Sequence, residues 1–205
     1  MTTINIIKIG RLLNIVGAIG LIIWWFSMPV LLPITDSVEN FKNLILNANW
    51  IPINILGLVS VFLLTLGFPV FYLTSYDKFN KLGFYSLLIV LTGLILFSCI
   101  QYYETIIWPA AAQINPDLVQ LKGALVSGDN AVKIGLLISG IFLGLGYILF
   151  GVSALKTKEF SNTSLWLLII GAPLFGNGIV FSIRTFGIVL FCLGTIMLAK
   201  NIRKE

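Results

Sequence analysis

Apolar residues fill six long runs of this chain, and the polar residues collect in the short breaks between them. About 20 apolar residues in a row are enough, wound as a helix, to cross the hydrocarbon of a bilayer. The runs predict spans at about 8–32, 51–75, 82–108, 131–155, 163–177 and 179–200. Lys8 and Arg11 precede the first run, which is too long for a signal-peptide core and lacks a small-x-small cleavage site, so it is expected to stay as a span. Gly10, Gly17 and Gly20 allow close helix approach there, and Asn14 is a polar group for a neighbouring helix to satisfy. Pro69 is expected to kink the far end of the second run. The third closes on Gln101-Tyr102-Tyr103-Glu104-Thr105-Ile106-Ile107-Trp108-Pro109, read as an interfacial tryptophan followed by a helix-ending proline. Gly140-x-x-x-Gly144 offers a close-packing face in the fourth. The fifth is short and interrupted by Pro173, with Gly176-Asn177-Gly178 as its turn.

Two breaks are longer than the rest. In 34–50, Asp36 and Glu39 resemble a helix start, and Val38, Phe41, Leu44 and Ile45 recur at helical spacing. In 110–130, Asn115-Pro116 is a cap and first-turn pair, and Leu118, Leu121 and Leu125 share a face. Each predicts a short amphipathic helix lying on the membrane surface. The expected fold is all-α: a polytopic membrane bundle of six transmembrane helices, with two short amphipathic helices on the outer face. A single transmembrane domain occupies 1–205.

Composition sharpens the class. Only 10% of the 205 residues are charged and mean hydropathy is +1.02, whereas soluble domains carry about 25% charged residues. The net charge of +5 does not indicate a nucleic-acid partner, because the basic residues sit in the turns and no basic stripe with interleaved aromatics exists. With six spans, Lys8/Arg11, Lys78/Lys81, Lys156/Lys158 and Lys200/Arg203/Lys204 all fall on one side. That predicts a multi-pass protein of the cell (inner or plasma) membrane with both termini cytoplasmic. Spans one to three and four to six then run with opposite topology, as inverted repeats do, although the halves share no residue-level similarity.

Histidine is absent, which removes histidine-ligated metals and histidine-activated nucleophiles. Cys99 and Cys192 lie inside apolar runs and read as two small core residues. No GxSG with a histidine, no intramembrane aspartate pair and no double-glutamate motif is present. No catalytic residue, metal or cofactor is expected.

The candidate chemistry lies elsewhere. Charge inside a hydrocarbon layer is costly and marks a functional-site candidate, and Glu104 and Arg184 are the two charges set deep within spans. Glu104 lies four residues before Trp108 and Arg184 six after Gly178, which puts both ~6–9 Å below the outer interface at 1.5 Å per residue. They are expected to pair, with Gln101, Asn177 and the hydroxyl of Tyr102 or Tyr103 completing a ligand-binding cluster beside Trp108. The competing reading is structural: a pair that only sets register, or two long side chains snorkelling to the headgroups.

One stretch carries a family resemblance. Leu149-Phe150-Gly151-Val152-Ser153-Ala154-Leu155, then a short basic turn, then Trp166-Leu167-Leu168-Ile169-Ile170-Gly171-Ala172 resembles small six-span prokaryotic integral membrane proteins of unknown function. The arginine-tryptophan pair of that turn is missing, since 162–166 reads Asn-Thr-Ser-Leu-Trp. The resemblance implies a prokaryotic inner membrane and supplies no activity. The expected partners are membrane lipids, a small anionic or zwitterionic ligand, and a second copy or larger membrane complex. The leading function is a non-enzymatic small-molecule- or lipid-binding protein or assembly subunit. A small solute or proton-coupled transporter is the alternative, and a lipid-modifying enzyme ranks last.

Overall fold

Long apolar runs can satisfy their backbone only by folding as helices, because hydrocarbon offers no hydrogen-bond partners. The computed structural model, which describes residues 3–32, 41–120, 122–177 and 181–201, is all-helical, with no strand among those residues. The helices are α1 (Thr3–Leu31), α2 (Phe41–Ile45), α3 (Trp50–Gly67), α4 (Pro69–Leu73), α5 (Lys81–Tyr102), α6 (Trp108–Ile114), α7 (Asn130–Thr157), α8 (Asn162–Asn177) and α9 (Phe181–Asn201). A π turn, Tyr103–Ile107, joins α5 to α6. A 3-10 turn, Pro116–Val119, and a second π turn, Ala124–Gly128, precede α7.

Five helical segments are long and apolar enough to cross a membrane: Asn5–Leu31, Trp50–Leu73, Lys81–Ile114, Ala124–Thr157 and Ser182–Asn201. The sixth apolar helix, Asn162–Gly176, is shorter. At 16 residues α8 is ~24 Å long, against a hydrocarbon core of ~30 Å.

The principal helices close a ring. α1 packs on α3, α3 on α5, α5 on α7, α7 on α8, α8 on α9, and α9 returns to α1. Small residues set the seams. A Cβ on Gly93 would lie 2.6 Å from the backbone nitrogen of Leu143, and one on Gly171 2.4 Å from that of Phe191. Gly10, Gly17 and Gly20 of α1 meet Val70, Leu64 and Ser60 in the same close way. Aromatic rings fill the interior: Phe68 against Tyr147 and Phe150, Tyr147 against Phe191, and Phe97 against Phe175. Edge-to-face pairs of this kind add ~0.5–1.5 kcal/mol each beyond area burial.

The two ends of the ring differ. At the basic end, Arg11 closes the circle by donating to the carbonyls of Ala199 (2.7 Å) and Lys200 (3.1 Å) at the end of α9, where a cation also suits the helix dipole. Lys78 pairs with Glu159 across two turns of that end. The opposite end carries a cap. α2 packs on α6 and on the 3-10 turn, which packs on the second π turn. Within the two long breaks the described residues thus hold only short helical pieces: the five residues of α2, the end of α6, the 3-10 turn and the second π turn. The expected start at Asp36–Glu39, the turn residue Gly178 and the terminal Arg203 and Lys204 lie outside the described residues.

Four local expectations are corrected. Pro109 does not end a helix: the third span runs on as α6 to Ile114 rather than stopping at 108. Pro173 sits inside an unbroken α8, because a proline near a helix end leaves only one carbonyl short of a donor. Asn14 is not satisfied by a neighbouring helix. Its Nδ2 donates to the Gly10 carbonyl of its own helix (2.9 Å), and its Oδ1 has no partner. The fourth concerns Glu104 and Arg184 and follows from the site. At Pro69 the helix is divided at Phe68 between α3 and α4, although Phe68 keeps helical dihedrals.

Candidate functional site

The capped end is built around Trp108. Its indole stacks on Trp50 (6.2 Å, 27°) and meets Phe41 and Tyr103 edge-on. Its Nε1 donates to the Leu125 carbonyl at 3.1 Å, and the Tyr103 hydroxyl donates to the same oxygen at 3.0 Å. Both polar groups expected to contact a ligand are therefore committed to holding the cap on the ring. Trp108 is buried, a packing centre rather than an interfacial anchor. Tyr102 is exposed.

Pro109 explains the local backbone. The Trp108 N–H bonds to the Tyr103 carbonyl, five residues back. In that register the Glu104 carbonyl awaits the N–H of residue 109, and a proline has none. The Trp50 indole of α3 supplies the missing donor, Nε1 to Glu104 O at 3.0 Å. Neighbouring helices rescue helix-breaking prolines in membranes in this way. π turns of this kind recur at functional sites, and here the turn carries Glu104.

Arg184 comes to this same end through Phe175, whose ring meets Phe97 of α5, two turns before Glu104. Glu104 and Arg184 do not form an ion pair. Among the described residues the pair within 4.0 Å is Lys78–Glu159, and neither Glu104 nor Arg184 joins it. The Arg184 guanidinium instead lies against two aromatic faces, 5.1 Å from the Trp25 ring and 5.7 Å from that of Phe175. Aromatic faces attract a cation without consuming its N–H donors. The Arg184 Nε is buried with no hydrogen-bond partner. Trp25 is locked beside it by its own donation to Thr185 Oγ1 at 2.8 Å.

Gln101 is the third member. Only 1% of it is exposed, and its Oε1 has no partner. Thr105, one turn on, gives its hydroxyl proton to the Gln101 backbone carbonyl rather than to that side chain. The side chain of Asn177 lies outside the described residues. The structure thus brings Glu104, Gln101 and Arg184 to one end and diverts Tyr103 and Trp108 to the cap. It adds Trp25, Phe175 and Trp50, which sequence reasoning missed. Trp25 and Phe175 come from helices brought beside Arg184 only by ring closure, so no local pattern announces them. Trp50 had a weak signal, an aromatic next to the start of a span.

Among the described residues a guanidinium and a carboxylate that are in no ion pair, and a buried amide oxygen with no hydrogen-bond partner, share one end of an apolar ring. Such an arrangement can hold a ligand carrying both acceptors and donors. Among the described residues no cluster of three metal-binding side chains exists. The chain matches no protein-family profile, no curated protein and no solved structure.

Proposed function

We propose that this chain is a six-span protein of a prokaryotic inner membrane that binds a small anionic or zwitterionic molecule at its capped end, without catalysing a reaction. The observation that carries the reading is Arg184, lying against the rings of Trp25 and Phe175 with its Nε buried and unpartnered. Leaving a buried donor of a charged group unmatched costs more than a neutral hydrogen bond contributes, so the Arg184 Nε favours a partner from outside the chain. The lack of a histidine, of a nucleophile–base pair and of paired carboxylates supports binding over catalysis.

Six crossings follow if α8 spans despite its length. Its first turn meets Gly194 and its last meets Gly187 and Gly140, so it runs antiparallel to most of α9. Arg11, Lys78, Lys81, Lys156 and Lys200 then share one face, which the positive-inside rule assigns to the cytoplasm. The short cap turns, with Leu44, Ile45, Val119 and Val126 buried beneath them, would lie on the outer side.

Thermal unfolding of the purified protein in detergent, against a panel of carboxylates, phosphates and zwitterions, tests the binding. A ligand at 100 times its Kd stabilises by ~2.7 kcal/mol. Stabilisation by at least one member, lost in Arg184→Gln, is expected; the same response in both proteins contradicts the reading. A reporter fused after Glu205 that is active only outside the cytoplasm contradicts the orientation.

A further inference from the structure

α1 and α9 close the ring, and hydrogen bonds fasten their seam at both ends. Arg11 donates to the carbonyls of Ala199 and Lys200 at the basic end, and Trp25 donates to Thr185 at the other. The step from Arg11 to Trp25 equals that from Thr185 to Ala199, so the two helices run antiparallel in register. In that register Lys200 is level with Gly10, and Lys8 lies ~4.5 Å beyond Arg11 at 1.5 Å per residue. Three cations gather within about one turn at the head of one seam.

Each lysine heads an apolar stripe. Lys8, Leu12, Ile15 and Ile19 recur at helical spacing on α1, and Lys200, Ile196, Leu193 and Phe186 on α9. Both lysines are exposed, as are Leu12, Ile19, Leu193 and Phe186, whereas Ile15 and Ile196 are half-buried. At 3.6 residues per turn both stripes fall about a quarter turn from the seam residues. They flank the outer face of the seam, with Arg11 between their heads.

Depth agrees with the charge. Gly171 packs on Phe191 and Gly187 on Phe175, so Trp166 of α8 lies level with Ile196, one turn short of Lys200. Trp166 is exposed, and exposed tryptophan marks the level where hydrocarbon gives way to headgroups. The three cations sit just beyond it. Among the described residues neither lysine is in an ion pair. The described carboxylates of the basic end, Asp77 and Glu159, belong to the α4–α5 and α7–α8 turns, and Glu159 pairs with Lys78.

We propose that the basic end of the α1–α9 seam binds one phospholipid of net negative charge, its phosphate held by Lys8, Arg11 and Lys200 and its chains laid along the two stripes. Arg11 gives Nε and one Nη2 proton to α9, which leaves others of its five N–H groups for a phosphate oxygen. Basic residues beside helix ends at this depth attract anionic heads. A soluble anion would satisfy the cations and leave the stripes unmatched. A second copy on the same face would cover the stripes and set like charges against each other, which is costly. The site lies at the opposite end from Glu104 and Arg184 and does not depend on them.

The test is native mass spectrometry of the full chain, released from bilayer discs of equal parts phosphatidylglycerol and phosphatidylcholine prepared with inorganic phosphate present. The phosphatidylglycerol adduct should exceed the phosphatidylcholine adduct about tenfold or more. Lys8→Gln and Lys200→Gln should each lower that ratio about fivefold, and the double variant should show no preference. A Lys81→Gln, Lys156→Gln double variant removes equal charge from the same end, on α5 and α7, and should keep the preference. Equal adducts of the two lipids in the unaltered protein overturn the proposal. An equal fall in both double variants overturns it too, because the attraction would then belong to the whole basic end. A phosphate adduct in place of lipid, or a lipid-free dimer, overturns it in favour of a soluble anion or a second copy.

Discussion

Replacing Trp50 by phenylalanine should destabilise the protein through one atom. The Phe ring keeps most of the stack on Trp108, which sits 6.2 Å away in the native chain. What disappears is the Nε1 donation to Glu104 O at 3.0 Å, which stands in for the backbone N–H that proline lacks at 109. An unsatisfied buried carbonyl costs ~1–3 kcal/mol, so Trp50→Phe should lose about that much. Pro109→Ala restores a backbone N–H at the position the π register requires. In that background Trp50→Phe should cost less than ~1 kcal/mol, a coupling of ~1–2 kcal/mol, within the range for residues sharing one hydrogen-bond acceptor. Unfolding in mixed detergent micelles, followed by helical circular dichroism, supplies the four free energies. If Trp50→Phe costs the same with and without Pro109, the carbonyl is not what joins the two residues and the account of the π turn fails.

Other outcomes follow from the same contacts. Gly171→Ala drives a methyl to within 2.4 Å of the Phe191 backbone and should cost ~1–3 kcal/mol, as overpacking does; Gly135→Ala, in open space, should be neutral or gain up to ~1 kcal/mol of helix propensity. The same unfolding assay reads both, and equal effects would contradict the seam. Arg11→Ala removes two donors from the end of α9 and should cost ~1 kcal/mol, with Lys200 and its neighbours gaining hydrogen exchange first. A Glu104→Gln, Arg184→Gln cycle should show coupling of ~1 kcal/mol or less, as for charges out of contact; ~3–5 kcal/mol would mean a formed buried pair.

The helices were legible because hydrocarbon leaves a run such as 82–100 no other way to satisfy its backbone. Glu104 and Arg184 stood out for the same reason, and residue counting from Trp108 and Gly178 predicted a similar depth for the two. What the sequence concealed is long-range. Pro109 reads locally as a stop, and it is harmless only because an indole 54 residues earlier reaches Glu104 O. The expectation of an ion pair rested on charge alone. It failed because a guanidinium can also rest on aromatic faces, and Trp25 and Phe175 are brought to Arg184 by ring closure rather than by proximity in the chain. Tyr103 and Trp108 looked like ligand contacts for their polar tips, whereas both tips are spent on the Leu125 carbonyl of the cap.

The central claim is that Glu104 and Arg184 are held apart to receive a ligand. An experimental density map of the protein in a lipid bilayer disc, with a bound antibody fragment to aid alignment, tests it directly. The account predicts a non-protein feature bridging the carboxylate and the guanidinium, with Arg184 still stacked on Trp25 and Phe175. A map in which the two side chains close to a direct ion pair within 4.0 Å, with nothing between them, would contradict it.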